Sequence, residues 1–166
     1  MSGESGPGEW VLLSYRVPRE PSTPRIAVWR KLKRLGVAQI SDGLVALPAD
    51  PRTREQLEWV AEEVTDAGGS AAIWIARPGT VGYEHGLAAA MAADRAAEYR
   101  AIIDAAREAA AVGPDAKPAA VRRLRGELRR VTRRDYFPPP ERDQAQAAVE
   151  ALAAEPASRR AAREPA

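Results

Sequence analysis

The chain has 166 residues, 45% of them hydrophobic, and a formal net charge of only +2. It has no cysteine and one histidine. That excludes disulfides, thiol catalysis and cysteine-ligated zinc, and it leaves carboxylates as the plentiful metal donors. No apolar run approaches the ~18 residues of a membrane span, and the opening MSGESGPGEW has no apolar stretch of the signal-peptide kind, so a cytoplasmic protein with no membrane partner is expected.

Residues 1–8 read as a disordered leader. WVLLSYRV, residues 10–17, reads as a strand with Val11, Leu13, Tyr15 and Val17 on one face. PREPSTP breaks it, with Ser22 or Thr23 as the expected cap of the next helix and Pro24 in its first turn. The helix over 25–35 is amphipathic. Val28, Trp29, Leu32 and Leu35 are expected to be buried, opposite Arg30, Lys31, Lys33 and Arg34, and Gly36 ends it. Residues 37–48 read as a hairpin turning at Asp42-Gly43. A second helix over 50–69 buries Leu57, Val60, Ala61 and Val64, and AAIWIA (71–76) closes the unit as a strand.

The order βαββαβ with right-handed crossovers gives a four-stranded antiparallel sheet with two helices on one face, an α+β ferredoxin-like sandwich. A C-terminal helical extension of two long helices and one short helix follows. An alanine-rich helix spans 84–112, anchored by Leu87, Met91, Tyr99, Ile102 and Ile103. The next spans 118–134, with the narrow stripe Val121, Leu124, Leu128 and Val131. The short helix spans 141–153. The expected domains are the leader 1–8, the ferredoxin-like domain 9–79, the extension 80–153 packed on it, and a disordered tail 154–166.

Candidate chemistry is sparse. His85 stands alone near a helix start, where a surface role is the default, and no Ser-His-Asp geometry is expected around it. The carboxylates of 50–66 fall on the polar face of a helix, and Gly68-Gly69 follow a helix rather than precede one, so they are not a phosphate cradle. No catalytic residue, metal site or cofactor is assigned. The cations are patterned more sharply. Arg30, Lys31, Lys33 and Arg34 form one patch. Arg122, Arg125, Arg129 and Arg133 form another, a ridge within roughly 80° of arc and about 16 Å long. Such faces neutralise phosphates, and an arginine-rich choice favours phosphate recognition over simple solubility. The plain alternatives are a solvated face, or pairing with the acidic helix of a neighbouring chain in a non-catalytic adaptor. Tyr136 and Phe137 adjoin the arginines and are expected to staple the helix end to the core rather than stack on bases.

The stretches WVLLSYRVPREPSTPRIAVWRKLKRLG, DGLVALP, EWVAEEVTDAGGSAAIW and RRDYFPPPERDQAQAAVEAL resemble the N-terminal domain of the ChrB family of chromate-resistance regulators, over about residues 9–153. The resemblance implies a DNA-binding, chromate-responsive repressor with double-stranded DNA as its partner. A second copy of the chain is expected as a partner on separate grounds, because a small four-stranded sheet exposes two edges and one open face. The chain's core is also similar to the middle domain of phenylacetate-operon repressors and to the small CRISPR adaptation nuclease. That nuclease family places a metal-binding Asp after the Tyr that ends its first strand. Here Arg16 follows Tyr15, so nuclease activity is not implied. Proteins of the ChrB family carry a further C-terminal domain, so a separate chromate-sensing partner is an additional expectation.

Overall fold

The computed structural model describes residues 8–161. Its contacts divide the chain into two compact units, Met1–Met91 and Ala92–Ala166, with the division falling inside one long helix.

In the first unit the alternation of β1 (Trp10–Arg16) sets the layers. Val11 and Leu13 pair with Leu47 and Val45 of β3 (Leu44–Pro48), and all four are essentially fully buried. They form the sheet face beneath α1 (Ser22–Leu35) and α2 (Pro51–Asp66), whose Val28, Leu32, Leu57, Val60 and Val64 complete the core. With β2 (Ala38–Ser41) and β4 (Ser70–Ala76) the sheet order is β2-β3-β1-β4, every pairing antiparallel, which is the ferredoxin-like arrangement. The opposite face carries Trp10, whose indole N–H donates to Glu84 Oε1 at 2.9 Å, and Gly8 donates its backbone N–H to the same oxygen. Gly8 is thus tied down rather than part of a free leader; residues 1–7 lie outside the described residues. Trp74 is exposed on that face, and its N–H donates to Ser14 Oγ at 2.9 Å.

Several boundaries differ from the sequence reading. Neither Ser22 nor Thr23 caps α1. Pro21 holds the N-cap position with no side-chain bond, and both hydroxyl residues lie inside the helix. Trp29 is not in the buried stripe: it is 53% exposed, because Val28 and Leu32 stack one turn apart and fill the space against α2. The hairpin needs positive φ only at Gly43 (+71°), and the register slips between Gln39 and Ser41 to accommodate it.

In the second unit, residues 92–111 of α3 (Val81–Ala111) are followed by a 3-10 turn at Pro114–Ala116, α4 (Lys117–Arg133) and α5 (Glu141–Ala161). The expected short helix is therefore long, and residues 154–161 are helical rather than a disordered tail; 162–166 lie outside the described residues. Tyr99, Ile102, Val121, Leu124, Val131, Ala145, Val149 and Leu152 make one core. Lys117 is buried and takes no part in the basic surface. Tyr136 and Phe137 are half-buried.

Two side chains give measurable stability. Asp50 and Thr53 close a reciprocal cap on α2, and Thr53 Oγ1 also donates to Pro48 O at 2.6 Å from a fully buried position. Thr53→Val keeps the shape but strands the Pro48 carbonyl and the Asp50 N–H, so it should lower stability by about 1–3 kcal/mol in urea unfolding. In the other unit, buried Tyr99 donates its hydroxyl to Asp135 Oδ2 at 2.7 Å; burial, then that bond, push its phenol up to about 12. A pKa raised on folding means the native state holds the proton more tightly. The associated stability is complete below pH ~10, the unfolded value, and is lost as pH rises through about 12. Tyr99→Phe should remove that alkaline loss from a stability–pH profile, while costing stability at neutral pH.

Candidate nucleic-acid interface

Two cationic faces are built by helix periodicity, one in each unit. On α1 Arg30, Lys33 and Arg34 lie on the side away from Val28 and Leu32 and Lys31 flanks that buried pair, and the four do not share one fate. Lys31 is ion-paired with Glu63 of α2. The Lys33 ammonium sits 5.5 Å from the centroid of the Trp29 ring, a cation–π contact. Arg30 and Arg34 are exposed and form no ion pair among the described residues.

On α4 the stripe Val121, Leu124 and Val131 is buried and the arginines face outward. Arg122, Arg125, Arg129 and Arg133 are all exposed, as the spacing requires. Arg125 is held by Glu150 of α5 through its Nε and Nη2, at 3.1–3.3 Å. Arg123 pairs with Glu127 one turn on, at 3.1 Å. Arg134 is turned away into a half-buried cluster with Glu98 and Arg95. Arg122, Arg129 and Arg130 form no ion pair among the described residues. The residues most available to an external anion are therefore Arg122, Arg129 and Arg130 on α4, with Arg30 and Arg34 on α1.

The sequence reading missed a third cationic feature. At the C-terminal end of β1 an open groove of about 1240 Å³ lies between the start of α1, the β2–β3 turn and the α2–β4 turn. Its lining includes Tyr15, Arg16, Arg19, Arg25, Ile26 and Trp29, with Gly43, Gly68 and Gly69 from the turns. Burial, then the Asp42 carboxylate, push the Tyr15 phenol up, so it stays a neutral donor. Gly68-Gly69, set aside in sequence because they end a helix, thus form part of the groove wall without being a helix-start phosphate loop. The available signal was the density of arginine around PREPSTP; what joins it to two distant turns is strand pairing. His85 is exposed. No cluster of three or more His, Cys, Asp or Glu among the described residues is placed to hold a metal, and no described helix is long and apolar enough to cross a membrane.

A family profile described as protein ChrB, N-terminal, matches residues 25–111, more than half of the chain. The chain belongs to the ChrB N-terminal family. It is 32% identical over 101 residues to Protein ChrB of Cupriavidus metallidurans, covering 60% of this chain and 27% of that relative. The matched region therefore corresponds to little more than a quarter of the relative's length. No solved structure matches.

Proposed function

We propose that this chain is the DNA-binding part of a ChrB-type transcriptional regulator linked to chromate resistance, gripping duplex DNA through phosphate contacts and doing no catalysis. The observation that carries the reading is the set of exposed arginines that form no ion pair among the described residues, Arg122, Arg129 and Arg130 on α4 and Arg30 and Arg34 on α1. Guanidinium groups left unpaired on helix faces are suited to displace condensed counterions, and this produces sequence-independent affinity with a steep salt dependence. The ChrB family membership supports the regulatory role. A separate chromate-sensing protein and a DNA operator complete the proposed system.

The regulator acts as a homodimer in this reading. The sheet has two edge strands, β2 and β4, and exposes Trp74 on the face opposite α1 and α2, features that pairing between copies removes. Two copies present each cationic face twice, which suits an inverted repeat. Light scattering at tens of micromolar should give twice the chain mass; a monomer mass counts against the dimer.

The DNA reading has its own measurement. Each lost phosphate contact should remove about 0.9 from the slope of log affinity against log salt. Arg129→Ala with Arg130→Ala should lower the slope on random duplex by about two units, weaken all sequences alike and leave the melting temperature unchanged. Arg30→Ala with Arg34→Ala probes the first unit in the same way. If both double variants bind as wild type does, the cationic faces serve a protein–protein adaptor instead.

A further inference from the structure

The groove at the end of β1 carries chemistry that duplex binding through α1 and α4 leaves unused. Arg16, Arg19 and Arg25 all line it and none forms an ion pair among the described residues, while Asp42 is the single acidic residue in the lining. Arg25 sits in the first turn of α1, at the positive end of the helix dipole, where the first turn holds no acidic residue and the N-cap contributes no side-chain bond. The dipole disfavours a cation there. A local choice that opposes stability is the mark of a site built for something else.

Beside these cations the groove has an apolar platform. Ile26 and Trp29 stand one turn apart on α1, both line the groove, and they are 46% and 53% exposed. Lys33 adds a further positive charge at the Trp29 ring. An inorganic oxyanion would use the arginines and waste the indole. A purely apolar ligand would use the indole and leave the guanidinium groups unanswered. A planar ring joined to a phosphate uses both. The groove's volume, about 1240 Å³, exceeds the ~300–1,000 Å³ of ordinary small-molecule pockets, so a nucleotide and part of a neighbour fit within it.

We propose that this groove binds a nucleoside phosphate, with the base stacked on Trp29 and the phosphate held among Arg16, Arg19 and Arg25. The nucleotide comes either free or as an unstacked residue of a single strand. Base–aromatic stacking contributes ~1–3 kcal/mol, so losing the indole should weaken binding about tenfold.

Tryptophan fluorescence of the full chain, titrated with AMP, with (dT)8 and with inorganic phosphate, tests this. The expected result is saturable quenching by AMP or (dT)8. Trp29→Phe should lose the quenching, and Trp29→Ala should, by calorimetry, bind about tenfold more weakly. Arg16→Gln with Arg19→Gln and Arg25→Gln should weaken binding at least as much, with an unchanged circular dichroism spectrum. Saturation by AMP identifies a free nucleotide; saturation by (dT)8 alone identifies a strand. The proposal is overturned if neither saturates at millimolar concentration, if Trp29→Phe keeps the wild-type quenching, or if inorganic phosphate binds as tightly as the nucleotide that saturates. Arg129→Ala with Arg130→Ala, which tests the duplex reading, should leave the quenching intact, so the two readings fail separately.

Discussion

The first unit depends on how closely two turns approach the C-terminal end of β1. Tyr15 donates its N–H to the Gly43 carbonyl at 2.8 Å, and a Cβ at Gly43 would lie 2.5 Å from the Tyr15 carbonyl oxygen. On the other side a Cβ at Gly69 would lie 2.2 Å from the Arg16 carbonyl oxygen and 2.9 Å from that of Val64. Both obstacles are backbone, so neither can yield as a flexible side chain would. Hairpin and α2–β4 turn are thereby fixed against the same strand end. With both turns fixed, the register of β3 and β4 on β1 follows, and Val11 and Leu13 are committed to the helical face. The same convergence puts Gly43 and Gly69 in the lining of the groove.

This constraint separates two kinds of aromatic residue. Trp10 and Tyr99 are buried, and each donates its polar hydrogen to a carboxylate, on Glu84 and Asp135. They serve the fold, since a buried donor without a partner would cost more than its packing returns. Trp29 and Trp59 are more than half exposed, both on helices whose cores are already filled by Val28, Leu32, Leu57, Val60 and Val64. Once branched aliphatics close the α1–α2–sheet interior, no space remains for an indole.

That competition also marks the limit of what the residues disclosed alone. The βαββαβ order was legible, because alternation in WVLLSYR, the 3.6-residue period of 51–66 and the Asp42-Gly43 turn are local signals that the structure respects. Trp29 was misplaced because a helical wheel gives an angle but not the depth of the stripe. Ser22 and Thr23 looked like caps because their chemistry suits one, yet the chain enters the helix a residue earlier at Pro21. The helix expected over 141–153 runs on in the structure to Ala161, through Pro156. Of the candidate site, the cationic faces were readable from spacing, whereas the groove was not: its walls come from turns joined only by strand pairing.

Net charge is a poor guide to what these cations do. At +2 the whole molecule exerts little long-range steering, and the Debye length of about 8–10 Å near physiological salt confines each charge to its neighbourhood. What matters is which cations the fold has already neutralised. Lys31, Arg123, Arg125 and Arg134 answer Glu63, Glu127, Glu150 and Glu98 within the chain. Such partly exposed pairs contribute at most about 1 kcal/mol each, so they are weak as stabilisers but effective as selectors. A phosphate meeting Arg125 must first displace Glu150, and Glu150 then remains nearby as a like charge. A phosphate meeting Arg129 or Arg130 displaces only counterions. The carboxylates of α2, α3, α4 and α5 thus divide a uniform-looking run of Arg and Lys into an internal set and an outward set, and the outward set is smaller and more sharply placed than the sequence count implies.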